Sequence, residues 1–427
     1  MRHLLNRREW LKKTGIVSSG LLISDLLNAA TFKMNPTILL VSGWQDVNIG
    51  DIAHTPGLLY VLETFLPEAN IILWKKSGYN KEVSEIYRNN FPKVRVLYGN
   101  VNQQKEVDNP ELLKIFNECD ILLHGSGPLL VAADHIAAWI KTTGKPFGVF
   151  GITLQNPNEY HQELLKQAAF IYTRETHSIG HLKKAGIEGE HIGFAPDATF
   201  FLHIRDDKKA AQFMASNMLE AKKFICVIPR LRVTPYYKFN PNNAGWSDER
   251  IAEVEALNER CKEWDHAKMR EAMAAWVRKT GNKVLVCPEM TYQVDIMDEL
   301  LINPLPEDVK PFVIKRGYWL PDEAASLYAQ AFAVLSFECH SPIIAAANGT
   351  PFFYLRQPED TIKGQMYYDL GFNNWVFEIE KTEGEQLVSR LQEFILDYSE
   401  AETQLNTGME NVRRIYADKT GSLKKYL

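Results

Sequence analysis

A glutamate and a histidine follow a predicted buried strand near the end of the chain. The apolar run 332–336 predicts a parallel strand, and Glu338 and His340 come directly after it. Ligands bind at the carboxyl ends of strands in open α/β sheets, because the loops there vary while the sheet holds them in place. An imidazole titrates near neutral pH, so His340 is a candidate site residue. The alternative is that His340 caps the small-residue helix predicted after it.

Two arginines mark a second strand end. Arg230 and Arg232 follow the predicted buried strand 224–229. Two guanidinium groups at such a position suit a phosphate or a carboxylate. The long loop after them contains aromatic side chains that suit stacking on a sugar face, namely Tyr236, Tyr237, Phe239 and Trp246. The alternative is a solvated basic loop.

Three loops in the first half of the chain leave predicted strands at the same sheet edge. In the loop 47–51, Asp51 would occupy the positive end of the following helix, so we expect Asn48 and Asp51 to bind hydroxyl groups, or Asp51 only to cap the helix. In the loop 124–129, two glycines allow close approach of a ligand beside Ser126, although a tight turn alone explains both glycines. The third loop, 151–156, contains Gln155.

A further arginine, Arg174, follows the predicted strand 168–172. It could bind an anion, or it could pair with Asp197 in the rigid turn Pro196-Asp197-Ala198. A buried ion pair of this kind can fasten the last crossover of a domain without touching a substrate. The structural interpretation is therefore favoured for Arg174.

The pattern of elements along the chain predicts an α/β protein with two Rossmann-like domains. Short apolar runs alternate with amphipathic helical patterns from residue 36 to about 204, and the alternation restarts at 224. Near-continuous apolar strands indicate parallel sheets that are covered on both faces. We expect domains at 35–204 and 205–382, followed by C-terminal helices in 383–427 that pack across the domain junction.

Composition and charge exclude several classes of function. The chain has 427 residues, of which 45% are hydrophobic and 24% are charged, so two domains can each bury a core. A net charge of -5 provides no basic field for nucleic acid or anionic lipid. The five cysteines form no C-x-x-C pair, so the sequence predicts neither a metal site nor a disulfide framework.

The N-terminus is similar to a twin-arginine export signal. The segment Asn6-Arg7-Arg8-Glu9-Trp10-Leu11-Lys12 precedes a modestly apolar stretch, 16–27, which is too short to span a bilayer. We therefore exclude residues 1–34 from the fold, expect no transmembrane segment, and predict a periplasmic or exported protein. The alternative is a frayed N-terminal helix on a cytoplasmic protein.

Taken together, the motifs resemble those of the polysaccharide pyruvyl transferase family. The matching features, in the family's order, are the N-x-G-D loop at 48–51, the G-x-G-x-L turn at 125–129, the R-E-x-x-S segment at 174–178, Pro196-Asp197-Ala198, and the H-x-x-I-x-A-x-x-x-G-x-P stretch that starts at His340. The resemblance covers about residues 38–375. It implies a glycosyltransferase-B-like fold with parallel sheets facing a central cleft. The implied reaction moves a pyruvyl group from phosphoenolpyruvate to a sugar of a cell-surface glycan.

The resemblance also implies roles for individual residues. His340 would act as general acid or phosphate ligand, and Arg230 would anchor the donor. Four residues would face the acceptor in the cleft: Asn48, Asp51, Ser126 and Gln155. Arg232, Glu338 and Arg174 complete the predicted binding residues, and the reaction requires no metal or cofactor.

Two features depart from the family pattern. Members commonly have arginine two residues before the histidine, where this chain has Glu338, so an anion replaces a cation beside the donor site. Phosphoenolpyruvate is a cytosolic metabolite, which an exported protein would not meet. An alternative function is therefore an exported carbohydrate-binding or glycan-processing protein that does not use this donor. A glycosyltransferase that uses a nucleotide sugar is a third hypothesis.

Overall fold

The computed structural model describes residues 35–239 and 244–427. The twin-arginine-like segment, residues 1–34, lies outside the described residues. Within the described ranges, every helix is too short or too polar to cross a bilayer.

The first domain is built on a seven-stranded parallel sheet in the order β3-β2-β1-β4-β5-β6-β7. Its strands are β1 (Thr37–Ser42), β2 (Asn70–Lys75), β3 (Arg95–Tyr98), β4 (Ile121–His124), β5 (Phe147–Ile152), β6 (Phe170–Thr173) and β7 (Ile192–Phe194). Its helices are α1 (Ile49–Phe65), α2 (Lys81–Asn90), α3 (Pro110–Glu118), α4 (Ala133–Thr143), α5 (Glu159–Leu165) and α6 (Thr176–Lys184). The strand order reverses between β1 and β4, and such a switch point opens a crevice at the carboxyl ends of the strands.

The second domain repeats this architecture with six parallel strands in the order β10-β9-β8-β11-β12-β13. Its strands are β8 (Phe224–Ile228), β9 (Lys283–Val286), β10 (Val313–Lys315), β11 (Ala333–Ser336), β12 (Phe352–Arg356) and β13 (Val376–Glu378). The remaining helices are α7 (Asp207–Ser216), α8 (Asp248–Thr280), α9 (Gln293–Met297), α10 (Pro321–Gln330), α11 (His340–Ala347), α12 (Gln365–Asp369), α13 (Gly384–Leu396) and α14 (Tyr398–Leu423). The two parallel sheets confirm the predicted α/β class.

The central strands are buried on both faces, as their near-continuous apolar sequences predict. Ile38, Leu39, Leu40 and Val41 of β1 are all fully buried. One apolar cluster runs from β1 and α1 of the first domain to β8 and β11 of the second. A second cluster covers the other face of the first sheet. The continuous core holds the facing edges of the two sheets in a fixed relation.

The C-terminal helix α14 contacts both domains. The Tyr398 hydroxyl at its start donates to the carbonyl of Phe332 over 3.0 Å. Near its end, the Tyr416 hydroxyl donates to the carbonyl of Asp197 over 2.5 Å. These two contacts tie the residue just before β11 of the second domain to the turn that follows β7 of the first.

Candidate active site between the two domains

A cleft of about 430 Å³ lies between the carboxyl edges of the two sheets. The first domain lines it with Trp44, Gln45, Asn48, Asp51, Pro128, Leu129, Val131 and Arg174, and the second with Arg230, Thr234, Tyr236, Met290, Glu338, His340 and Lys363. Six of the nine predicted site residues therefore meet at one cleft, although they come from both halves of the chain.

The N-terminus of α1 forms one wall of the cleft. Asn48 caps this helix, because its Oδ1 accepts hydrogen bonds from the backbone N–H groups of Gly50 (2.7 Å) and Asp51 (3.4 Å). The prediction that Asp51 supplies the cap was therefore wrong by one turn. Asp51 lies in the first turn, where its carboxylate accepts a hydrogen bond from the side-chain amide of Gln45 and borders the cleft.

The same helix end docks directly on the second domain. The backbone N–H of Ile49 donates to the carbonyl of Glu289 over 3.0 Å, and that of Thr291 donates to the carbonyl of Val47 over 3.1 Å. A Cβ atom on Gly50 would lie 2.2 Å from Cγ of His340. The glycine of the N-x-G-D loop is therefore required for close approach of α1 to the His340 ring.

We expect Gly50→Ala to lower the free energy of unfolding by about 1–3 kcal/mol, because the added methyl group overlaps an imidazole that is fixed on both sides. Gly180→Ala is the matched control, since Gly180 lies within α6 with nothing within 4 Å of its Cβ position. That change should be neutral or stabilise the protein by up to about 1 kcal/mol. Urea denaturation of both variants checks the difference, and equal stabilities would contradict the close contact.

His340 joins a buried polar cluster that spans the domain interface. Its Nε2 lies 2.9 Å from Nε2 of His54, and its Nδ1 lies 3.1 Å from Oε1 of Glu289. His54 Nε2 also lies 3.3 Å from Oδ2 of Asp197, and His54 Nδ1 lies 2.9 Å from the carbonyl oxygen of Ser126. The His340 side chain thus packs into the interface and does not cap α11. The carboxylate of Glu289 instead accepts a hydrogen bond from the backbone N–H of Ser341, in the first turn of that helix, over 2.6 Å.

Burial and neighbouring carboxylates shift the pKa values of the two imidazoles in opposite directions. Burial lowers the pKa of His54, and the nearby charge of Asp197 compensates only in part. Burial also disfavours the charged form of His340, yet the hydrogen bond and charge of Glu289, together with Asp197, raise the pKa of His340 above its ordinary value. His340 is therefore the more basic imidazole of the pair.

Arg230 forms part of the second-domain wall. Its Nη1 donates to the carboxylate of Asp360 and, over 3.2 Å, to Oε1 of Gln357. Its Nε lies 3.4 Å from Oε1 of Glu338 but is buried without a hydrogen-bond partner in the described part of the chain. Lys363 adds a second cation, with its Nζ 3.4 Å from Oδ1 of Asp360.

Glu338 is the anion that departs from the family pattern, and it lies against Arg230. Its Oε1 accepts a hydrogen bond from Nε2 of Gln293 over 2.7 Å. Burial raises the pKa of Glu338 to about 7, although the Arg230 guanidinium opposes this shift. The carboxyl group is thus held inside the site and not in solvent.

Three predicted site residues do not line the cleft. Both nitrogens of the Arg232 fork bind the carboxylate of Asp265, at 2.9 and 3.0 Å, and its Nη1 binds Glu380 at 2.9 Å. The Ser126 hydroxyl accepts a hydrogen bond from the backbone N–H of Ala198, over 3.0 Å, within the first domain. Gln155 is exposed on the surface.

Arg174 lines the cleft and also forms the predicted ion pair. Its Nη1 lies 2.7 Å from Oδ2 of Asp197, and its Nε donates to Oγ1 of Thr153 over 2.7 Å. Both members of the pair are almost completely buried. The pair fixes Asp197, and Asp197 in turn lies beside His54.

The residue after Arg174, Glu175, caps α6 from a fully buried position. Burial raises the pKa of Glu175 to about 7, although hydrogen bonds from Ser178 and the charge of Arg174 oppose the shift. The folded state therefore binds the proton more tightly than the unfolded chain. This contribution to stability is fully present below pH 4.5 and is lost as the pH rises through about 7.

We expect Glu175→Gln to remove the loss of stability that ionisation of Glu175 causes, because an amide does not titrate in this range. The amide oxygen can still accept the capping hydrogen bond. The decline in unfolding free energy between pH 4.5 and 7.5 should become smaller by at most about 3 kcal/mol. Glu190→Gln, at an exposed position, should leave the decline unchanged. Thermal denaturation across this pH range checks the prediction, and parallel profiles for the wild type and Glu175→Gln would contradict it.

Three residues of the buried cluster, namely His54, Asp197 and Glu289, were not among the site residues predicted from the sequence. His54 follows Asp51 by one helical turn, so it lies near the same face of α1. Asp197 was considered only as a partner of Arg174, and Glu289 was assigned no role. The proximity of these three residues depends on the contact between the domains, which no local pattern reveals.

Solved structures with this arrangement of two parallel-sheet domains are glycosyltransferase-B-like enzymes. The UDP-GlcNAc 2-epimerase from Neisseria meningitidis bound to UDP-GlcNAc has a TM-score of 0.55 at 11% identity, over 90% of this chain and 99% of that one. Anabaena HepE in complex with UDP-glucose has a TM-score of 0.54 at 11% identity, over 91% and 98%. The E. coli ADP-heptose lipopolysaccharide heptosyltransferase II has a TM-score of 0.50 at 12% identity, over 85% and 99%. At these identities the similarity establishes the fold.

The family model for polysaccharide pyruvyl transferase matches residues 48–357. The chain therefore belongs to the polysaccharide pyruvyl transferase family, which confirms the resemblance read from its motifs. Comparison with curated protein sequences gives no match.

Proposed function

We propose that this protein transfers a pyruvyl group from phosphoenolpyruvate to a sugar of a cell-surface glycan. Family membership and the fold of glycan-modifying enzymes support a transferase that acts on glycans. The donor and the acceptor are parts of the proposal. The observation that carries it is the position of Arg230, which lines the cleft and whose buried Nε has no hydrogen-bond partner among the described residues.

The donor carries a phosphate and a carboxylate, so its binding requires cations. Arg230 and Lys363 supply two on the second-domain wall, and Arg174 lies on the opposite wall. A guanidinium binds both anionic groups well because its planar N–H fork matches their oxygens. We assign Arg230 as the principal anchor, since its Nε has no hydrogen-bond partner among the described residues, whereas Arg174 donates from Nε to Thr153 and from Nη1 to Asp197.

The acceptor lies, in this proposal, against the first-domain wall. Asn48 and Asp51 border the cleft at the start of α1, Trp44 lines the same wall, and Tyr236 lines the cleft from the second domain. Polar side chains beside aromatic rings are the usual means of holding a sugar, with hydroxyl groups bound at the edge and the apolar face stacked. Ser126 and Gln155 are left out of this assignment because they do not border the cleft.

The reaction joins an acceptor oxygen to C2 of the donor while C3 gains a proton. Loss of inorganic phosphate from the resulting adduct then lets a second hydroxyl of the sugar close a ketal. Both hydroxyl protons are accounted for, one by the new methyl group and one by the released phosphate. Water must be kept from C2 during the phosphate loss, and a cleft between two closed domains provides that protection.

His340 is assigned to the donor side of this cleft. Both of its ring nitrogens already face partners, Glu289 at Nδ1 and His54 at Nε2. The contact with His54 must therefore open, or be bridged by another group, before Nε2 can act on the donor. We expect His340→Gln to abolish transfer in either case.

A second candidate function is an exported glycan-binding or glycan-processing protein that does not use phosphoenolpyruvate. The proximity of the Glu338 carboxyl group to Nε of Arg230 favours this second function, because Glu338 competes with an anionic donor for the same guanidinium. The twin-arginine-like N-terminus favours it as well, because it would place the protein away from the donor. Cell fractionation, with sequencing of the mature N-terminus near Ala30, tests the location.

Phosphate release tests the reaction itself. The full-length protein is incubated with phosphoenolpyruvate and glycan fragments from the producing cell, and free phosphate and pyruvylated sugar are measured together. The proposal expects both products in a 1:1 ratio and no phosphate release without the acceptor. Retained binding of the fragments without either product would favour the second candidate.

A further inference from the structure

We propose that His54, Asp197 and His340 form a binding site for a divalent transition-metal ion, with Zn²⁺ as the reference ion. All three side chains are at least nine-tenths buried. One ligand atom from each lies within 4.8 Å of the others, where the two domains meet. The metal site does not depend on the proposed reaction, whereas the role of the ion in binding the donor does.

The three ligand atoms lie close enough together to share one ion, although a tetrahedral arrangement requires the longest of their separations to shorten. His54 Nε2 lies 2.9 Å from His340 Nε2 and 3.3 Å from Asp197 Oδ2, and the third side, from His340 Nε2 to Asp197 Oδ2, is 4.0 Å. The circle through three points with these separations has a radius of ~2.0 Å, which is the usual length of zinc–nitrogen and zinc–oxygen bonds. One point in the interface is therefore at bonding distance from all three atoms.

Each ligand is also oriented by a contact on its far side. His54 Nδ1 faces the carbonyl oxygen of Ser126 at 2.9 Å, and His340 Nδ1 faces the Glu289 carboxylate at 3.1 Å. Asp197 Oδ1 accepts a hydrogen bond from the backbone N–H of Thr199 over 3.0 Å. Metal-binding histidines commonly donate the second ring N–H to a carbonyl or carboxylate, which leaves the other nitrogen free to bind the ion.

The surrounding charges favour a cation. The carboxylates of Asp197 and Glu289 are fully buried within the cluster, and Asp51 acts on both imidazoles from the start of α1. Arg174 opposes them with one positive charge, on Oδ2 of Asp197. Two imidazole nitrogens and one carboxylate oxygen are ligands that suit zinc and its first-row neighbours.

Three protein ligands leave a fourth position, as in catalytic zinc sites. Because His340 borders the cleft, a ligand in that position would come from the cleft side. An ion there would supply positive charge to the donor side, where this chain has Glu338 in place of the arginine that is common in the family. A phosphate oxygen of the donor is the ligand we expect, and this role rests on the proposed function.

Metal binding by the full-length protein tests the site without any donor or acceptor. The protein is stripped with a chelator, dialysed, and titrated with Zn²⁺ in competition with a chromophoric indicator. We expect one ion per chain with a Kd below about 1 μM, and a loss of affinity of at least about 100-fold in His54→Gln and in His340→Gln. His135→Gln, which changes a buried histidine outside the cluster, should bind as the wild type does.

Cobalt provides a second readout. Co²⁺ bound to two imidazoles and a carboxylate should give visible absorption bands, and these bands should be absent from His54→Gln. Circular dichroism confirms that the variants are folded. The proposal is overturned if the wild type takes up no stoichiometric zinc at a free zinc concentration of about 10 μM. It is also overturned if His54→Gln binds zinc as well as the wild type does. In that event the two imidazoles are joined by a shared proton.

A failure of phosphate release with zinc binding intact would overturn the proposed reaction and leave the metal site standing.

Discussion

Arg230→Met is expected to reduce kcat/KM for phosphate release from phosphoenolpyruvate by at least about 1,000-fold, because it removes the principal cation that faces the donor. Part of the effect should appear as weaker donor binding and part as a lower kcat, since charge on the phosphate increases as the bond to C2 breaks. Steady-state kinetics with a coupled phosphate assay measure both. The change also leaves Asp360 without its main partner, so stability must be measured alongside activity.

Arg232→Met is the matched control for this prediction. Arg232 is also buried and bound to a carboxylate, but it does not line the cleft. We expect it to lower stability by a similar amount while kcat/KM changes less than about threefold, because it removes a buried ion pair and no donor contact. Equal loss of activity in the two variants would show that the arginines act through the fold, and full activity in Arg230→Met would remove the donor assignment.

Arg174→Met is expected to lower the free energy of unfolding by about 3–5 kcal/mol, because it leaves the Asp197 carboxylate buried and unpaired beside His54. Arg278→Met is the control. Arg278 binds Asp308 through two hydrogen bonds of 2.8 and 3.0 Å, but both side chains are more than half exposed. An exposed pair of this kind is worth at most about 1 kcal/mol.

Urea denaturation, followed by circular dichroism, compares the two variants. A similar small loss in both would contradict the view that the Arg174–Asp197 pair fastens the last crossover of the first domain. A large loss in Arg174→Met alone supports it. The same experiment shows whether one or two unfolding transitions occur, which matters for a protein of two domains.

Local sequence patterns were sufficient for the fold and for most of the cleft. Apolar runs bounded by turns predicted the strands because a parallel strand must be apolar on both faces. The order of the strands then placed Asn48, Asp51, Arg230 and His340 at carboxyl ends, and the structure brings all four to one cleft. The helix α8, Asp248–Thr280, begins where Ser247 caps it by accepting a hydrogen bond from the backbone N–H of Arg250.

Local sequence patterns did not predict where individual side chains point. Arg230 and Arg232 occupy the same loop, yet Arg230 faces the cleft while Arg232 turns to Asp265 on α8. The position of α8, which carries Asp265, determines which of the two arginines binds that carboxylate. Ser126 was predicted from its neighbouring glycines, but its hydroxyl satisfies the backbone N–H of Ala198.

The buried cluster was the hardest part to foresee. Its three proposed metal ligands are far apart in the chain, and the two domains contribute them jointly. The prediction of no metal site rested on cysteine spacing, which is informative for metal sites whose ligands lie close in sequence. A site assembled by domain contact leaves no such signature.

Equilibrium binding of phosphoenolpyruvate decides whether Arg230 anchors this donor in the cleft. Isothermal titration calorimetry of the full-length protein should show saturable binding of one donor molecule per chain. That binding should be lost in Arg230→Met and kept in Arg232→Met. Binding of a glycan fragment or a UDP-sugar, with no measurable heat from phosphoenolpyruvate, would show that phosphoenolpyruvate is not the donor.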